Sequence, residues 1–251
     1  MQTKHQQIKI TSSTYNSTSA ILHYQNTCPA TFLRRINRFT ASVDIAGRVE
    51  TVHVKNTGRL GELLINGANI TLQKSYNQTR KTAYDLISVY KDGLGWVNID
   101  SLAPNKLVKA YLDNRGYDLV RPEFTYGSSR FDFYMERGAE KYLLEVKGCT
   151  LAPEPTNRTG YFPDAPTERG VKHIEELTAA LKNGYQTAVA FVIQMNGIEK
   201  VLPNNETQPV FGEALRTAAA AGVKVFAFRC NVTADNIEII GQTDETKLFL
   251  P

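Results

Sequence analysis

Cysteine, methionine, tryptophan and histidine are all scarce in this chain: 3, 3, 1 and 4 among 251 residues. The three cysteines, Cys28, Cys149 and Cys230, are odd in number and far apart. That spacing excludes both a disulfide framework and a zinc cluster. Cys149 and Cys230 sit in strand-like apolar runs and read as buried small hydrophobes. No apolar run approaches the length of a membrane span. Met1 to Gln7 holds no apolar signal core, and the expectation is a soluble, cytoplasmic protein. Without an export signal, triplets such as Asn69-Ile70-Thr71 carry no weight as glycosylation sites.

A strong excess of one charge is missing too. Lys and Arg total 29 against 25 Asp and Glu, for a net charge of +4. That balance is compatible with a polyanionic partner and too weak to demand one. Hydrophobic content of 42% and charged content of 22% are those of an ordinary globular protein, and the length suggests two modest domains.

Long helical periods are absent from the first hundred residues. Residues 1–27 are dense in Ser, Thr, Asn and Gln and read as a loosely held extension, with short strands at Ile8–Ile10 and Ala20–Tyr24. Residues 28–102 alternate short apolar runs with turn signals. The runs are Ser42–Ile45, Thr51–Val54, Leu63–Ile65, Ile70–Leu72, Thr82–Val89 and Trp96–Ile99; the turns include Ala46-Gly47, Thr57-Gly58, Asn66-Gly67 and Asp92-Gly93. An OB-like five-stranded β-barrel fits best. Its cations gather at Arg34, Arg35 and Arg38, at Arg59 after a turn, and at Arg80-Lys81. These could track a nucleic-acid backbone, or be ordinary solvated surface charges.

Near Leu102 the pattern changes. Helices read at Pro104–Leu112, Thr167–Lys182 and Phe211–Ala221, and strands at Tyr117–Phe124, Arg130–Tyr134, Tyr142–Thr150, Thr187–Gln194, Lys224–Arg229 and Ile237–Ile240. Thr156–Asp164 reads as a long loop. Residues 103–251 are thus expected to form an α/β sheet with helices on its faces.

The chemistry concentrates on one hairpin, Arg130–Leu151. Side chains alternate faces along a strand, so Glu145 and Lys147 point the same way, and Asp132 on the neighbouring strand can lie level with Glu145. Paired carboxylates can hold a hard cation such as Mg²⁺, and an adjacent lysine can orient or deprotonate a water, the equipment of phosphodiester hydrolysis. A solvated cross-strand charge pair is the plainer alternative. Glu-x-Lys arises by chance roughly once in such a length. A second copy, Glu245-Thr246-Lys247, reads as part of a polar tail and is set aside.

Longer strings add a resemblance. Asn37-Arg38-Phe39, Asn56-Thr57-Gly58-Arg59, Ile99-Asp100-Ser101, Ser129-Arg130-Phe131-Asp132-Phe133, Glu145-Val146-Lys147 and above all Phe162–His173 resemble the sugar fermentation stimulation protein A family, from about Thr31 to Arg229. The resemblance implies an OB-like barrel followed by a PD-(D/E)xK nuclease-like mixed sheet flanked by helices, DNA binding (RNA being the other possibility), and a metal-dependent nuclease site using Mg²⁺ or Mn²⁺. It implies Asp132 and Glu145 as metal-binding carboxylates and Lys147 as the catalytic lysine. Arg169 and Lys172 would serve DNA or the active site; the other reading of this helix start is simple capping by Thr167, with Glu168 in the first turn. Glu123 matches a family acid, and Ala110 stands where the family often has one. A non-catalytic DNA-binding regulator related to sugar metabolism is the rival reading, and an OB-type protein-interaction module a third.

Overall fold

The structure, a computed structural model, describes residues 20–77 and 79–250. The expected strand at Ile8–Ile10 and most of the expected extension lie outside these residues. The first strand, β1 (Ile21–His23), is followed by β2 (Thr27–Arg35), β3 (Thr40–Ile45), β4 (Arg48–Val54), β5 (Asn69–Lys74), β6 (Tyr84–Lys91) and β7 (Gly95–Asn98). Strands β2 to β6 make a closed five-stranded OB barrel: β4–β3–β2–β5–β6 are antiparallel neighbours, and a short parallel pairing of β4 with β6, His53 to Asp85 and Val54 to Leu86, shuts the cylinder. Alternation supplies the inside, with Phe32, Val43, Val52, Val54, Ile70, Leu72, Leu86 and Val89 buried. Leu63–Ile65, expected as a strand, is part of a turn instead. The amides of Leu63 and Leu64 both bond to the Leu60 carbonyl, and the buried side chains of Leu60 and Leu63 join the barrel core.

The second domain carries α1 (Ala103–Leu112), β8 (Leu119–Tyr126), β9 (Ser129–Arg137), β10 (Glu140–Cys149), β11 (Thr159–Phe162), α2 (Glu168–Leu181), β12 (Tyr185–Ile193), β13 (Lys200–Pro203), α3 (Pro209–Ala221), β14 (Lys224–Val232) and β15 (Asn236–Asp244). Its seven-stranded sheet runs β1–β15–β14–β12–β10–β9–β8. The β10–β12 and β12–β14 pairs are parallel and the rest antiparallel, a mixed sheet. Helix α1 packs with Phe133, Leu144 and Val146, while α2 and α3 pack with Phe131, Phe191 and Val225.

Three further findings depart from the sequence reading. Strand β1, expected in a loose extension, is an edge strand of the second sheet, paired to β15 from Ile21 with Glu238 to His23 with Asn236. The expected loop at Thr156–Asp164 contains β11, which pairs in parallel with β13. The supposed polar tail is packed: Glu245, Thr246 and Phe249 are buried, and Glu245 accepts a bond from the Val201 amide.

The two domains share one core. A single buried cluster runs from Phe32 and Ile70 in the barrel to Phe131, Ile174 and Phe211 beyond it. A polar seam accompanies it. Gln194 Nε2 donates to Asn98 O and Oδ1 and to Asp100 O, and Tyr24 and Lys55 both reach Asp100 Oδ2 at 3.3 Å. Asp100 is fully buried, so its pairing with Lys55 answers a cost an isolated carboxylate would bear.

Candidate active site

The ladder between β9 and β10 ends at the pair Leu144–Phe133. One position further on stand Glu145 and Asp132. There the Val146 amide donates to the Asp132 carboxylate, Oδ2, at 2.7 Å rather than to a strand carbonyl. Asn105 on α1 donates to Asp132 Oδ1 at 2.7 Å. Glu145 Oε1 receives two partners, Lys147 Nζ at 2.5 Å and His173 Nδ1 at 2.5 Å. His173 lies on α2, is 3% exposed, and accepts from Arg169 Nε at its other nitrogen, 3.3 Å away. Glu145 thus sits under a short chain from the exposed Arg169 inward.

Electrostatics separate the two carboxylates. Burial, then the nearby charge of Glu145, pushes Asp132 up to about 6 against its two hydrogen bonds. Burial also acts to raise Glu145, but the His173 hydrogen bond and the Lys147 charge outweigh it and hold Glu145 below the usual carboxylate range. Glu145 Oε2 is buried with no hydrogen-bond partner. A buried acceptor left unpaired costs about 1–3 kcal/mol, more when charged, so this oxygen is suited to a cation. Oxygen donors of this kind suit Mg²⁺ or Mn²⁺. Among the described residues no group of three or more His, Cys, Asp and Glu side chains converges as a metal cage. The fit is therefore to an ion that keeps waters or takes substrate oxygens to complete its shell.

Asp132 also opens onto a cleft of about 380 Å³, whose lining includes Asn105, Lys109, Ala110 and Glu123. Glu123 faces it with a left-handed backbone, φ 56°, uncommon for a side-chain-bearing residue, and is ion-paired to Arg130 at 2.7 Å. Ala110 adds no acid to this wall.

The cations expected to meet nucleic acid divide into two groups. Arg34, Arg38, Arg59, Lys81, Arg169 and Lys172 are exposed. Arg35 and Arg80 are not offered to a phosphate. Arg35 donates through Nε to Asn37 O, through Nη1 to Gly58 O and Arg59 O, and through Nη2 to Arg38 O and Asn56 O, which occupies its whole donor fork. Arg80 forms a two-point pair with Asp85, Nη2 to Oδ1 at 2.6 Å and Nη1 to Oδ2 at 3.2 Å. On α2, the capping reading of Thr167 holds, since its hydroxyl accepts from the Gly170 amide at 2.9 Å. Lys172 reaches Ser128 O at 3.3 Å and stays half open to solvent. Sequence reasoning missed Asn105 as an Asp132 partner. It missed His173 as the partner of Glu145 as well, because the two lie 28 positions apart and come together only in the fold.

Fold and site together define a class: an OB barrel joined to a PD-(D/E)xK nuclease-like domain. Residues 33–99 match the SfsA N-terminal OB domain, and residues 102–236 match the sugar fermentation stimulation protein RE domain. The chain belongs to the sugar fermentation stimulation protein family. It is 47% identical over 221 residues to the sugar fermentation stimulation protein homolog of Desulfitobacterium hafniense strain DCB-2, covering 86% of this chain and 95% of that one. A homolog from Clostridium perfringens strain 13 is 46% identical over 222 residues, covering 86% and 95%. Among solved structures, Pyrococcus furiosus SfsA in complex with Ca²⁺ is similar with a TM-score of 0.78 at 28% identity, over 88% of this chain and 96% of that one.

Proposed function

We propose that the protein binds nucleic acid, DNA foremost, and hydrolyses phosphodiester bonds at Asp132, Glu145 and Lys147 with Mg²⁺ or Mn²⁺. The observation that carries this reading is Glu145 Oε2, buried and unpaired beside a second, partly buried carboxylate, Asp132. Asp132 and Glu145 would hold the ion, which supplies charge neutralisation at the phosphate and a more acidic water. That the related Pyrococcus furiosus protein was solved in complex with Ca²⁺ supports hard-cation binding by this fold. His173 and Lys147 hold Glu145 by one oxygen and leave the other free. Lys147, with a side chain 14% exposed, would orient the attacking water, and Asn105 fixes the Asp132 carboxylate. Arg169 and Lys172, exposed on the same helix as His173, would receive the scissile strand's phosphates.

The rival is a DNA-binding regulator without turnover, and Ala110 on the cleft wall favours it. Purified protein incubated with labelled single- and double-stranded DNA and RNA, with and without Mg²⁺ or Mn²⁺, separates the two. Metal-dependent cleavage supports the enzyme; binding without cleavage under any divalent ion supports the regulator. A protein-interaction module would show no salt-dependent affinity for nucleic acid. No helix among the described residues is long and apolar enough to cross a membrane.

A further inference from the structure

The turn between β2 and β3 puts apolar surface in water and holds it still. Phe39 is 51% exposed and Ile36 44%. The Arg38 guanidinium lies 5.8 Å from the centroid of the Phe39 ring. Beneath them the backbone is fastened. Asn37 Oδ1 accepts from the amides of Phe39 and Thr40 at 2.8 and 3.0 Å, and the Phe39 carbonyl accepts from Val54 N at 2.7 Å. Arg35 spends its donor fork tying Asn37 and Arg38 to Asn56, Gly58 and Arg59. An exposed ring on a preformed turn loses little conformational entropy on binding, which is how a recognition surface differs from a stray apolar residue.

From this turn a line of contacts leads to the hydrolytic cluster. The Arg35-fastened loop continues to Leu60, whose amide donates to Asp164 Oδ2 at 2.7 Å. Asp164 stands three positions before Thr167, the cap of α2. Arg169 and Lys172 follow on that helix, and His173 meets Glu145.

We infer that Phe39 is a base-stacking platform for single-stranded nucleic acid, whose phosphates pass Arg38 and Arg59 and reach Arg169 and Lys172 at the hydrolytic cluster. This rests on the nucleic-acid reading above and narrows it to unpaired strands. The occupant follows from the chemistry of the tip. A flat apolar ring with the Arg38 guanidinium beside it matches a base beside its phosphate, and neither an acidic peptide nor an apolar one uses both features. Within a duplex the base faces are covered by their neighbours, so the ring has nothing to stack on.

The test is binding of a fluorescent 20-nucleotide oligothymidine and of a blunt duplex of equal length, at low salt with EDTA, to the parent, Phe39→Leu and Phe39→Trp. Leucine keeps the apolar volume and removes the stacking face; tryptophan keeps the face. The expected result is a loss of about tenfold in single-strand affinity for Phe39→Leu, confined to the single strand and restored in Phe39→Trp. Equal losses on both nucleic acids, or none on either, overturn the platform while leaving nucleic-acid binding standing; in the second case the tip serves another partner. A parent protein with no salt-dependent affinity for either probe removes the underlying reading instead.

Discussion

At the scale of single residues, charge decides roles. Asp132 and Glu145 place negative charge where a phosphate would arrive. Asp132→Asn and Glu145→Gln should therefore bind nucleic acid as well as the parent, or better, when no divalent ion is present. With Mg²⁺ added, both should lose ion binding and any cleavage, as calorimetry and a cleavage assay would read in parallel. Arg35 makes a contrasting case. Its donors all point at main-chain carbonyls, so Arg35→Lys, which keeps the charge and loses the fork, should destabilise the barrel by about 1–3 kcal/mol. Thermal unfolding checks this; a lysine variant as stable as the parent would mean the fork is dispensable. Glu245 adds a pH dependence away from the site. Burial pushes it up to about 7 from an ordinary 4.5, so its protonated form favours the fold. The sign follows: the folded state binds the extra proton between those values, and the associated stability, up to about 3 kcal/mol, is lost as pH rises from about 4.5 through 7. Glu245→Gln should flatten that slope in denaturant unfolding followed across pH. A slope identical to the parent's would place the titration elsewhere.

At the scale of elements, the hairpin of β9 and β10 was the most legible part of the sequence. Aromatic and branched residues marked both strands, and period-two alternation put Glu145 and Lys147 on one side, where they bond to each other. The register then brings Asp132 level with Glu145. Other apolar runs misled for physical reasons. Leu63–Ile65 has strand composition, yet two of its amides close onto Leu60 and its leucines fill the core, a tertiary use that local pattern cannot distinguish. Strand β11 was hidden by the prolines and glycines around it, and β1, anticipated as a short strand at Ala20–Tyr24, was not placed on the second sheet, because both pair with partners distant in sequence. His173 and Asn105 share that difficulty: each lies on a helix whose approach to the sheet is set by the fold. Close packing at the end of β10 has its own consequence. A Cβ on Gly148 would sit 2.2 Å from Gln194 Oε1 and 3.0 Å from Pro104, and Gln194 is held by three hydrogen bonds to the barrel's last segment. Gly148→Ala should therefore cost about 1–3 kcal/mol and disturb the neighbouring Lys147. Unchanged melting and unchanged chemistry would show that Gln194 simply swings aside.

At the scale of the whole molecule, the two domains depend on each other. The sequence suggests a boundary near Leu102, and the family matches break at the same place, but the buried cluster crosses it and β1 comes from before the barrel to edge the second sheet. A fragment of residues 103–250 would lack that edge strand and expose the faces of Met195 and Gln194 that pack on β7 and Asp100. It should show no cooperative unfolding transition, whereas the full chain should unfold in one. A cooperative transition in the fragment would mean that the shared cluster is not needed by the second domain. Mutual dependence also suits the proposed function, since the barrel surface around Arg38 and the helix bearing Arg169 are then held in fixed relation through Leu60 and Asp164. The central claim remains hydrolysis at the Glu145 cluster, and one measurement bears on it most directly: cleavage of labelled single-stranded DNA by protein freed of contaminating nuclease, with Mg²⁺ or Mn²⁺, for the parent and Lys147→Ala, alongside cation affinity for both. The account predicts that the parent cuts, and that Lys147→Ala binds the cation but no longer cuts. A parent that cuts nothing under either ion, or a Lys147→Ala that cuts as fast as the parent, would contradict it.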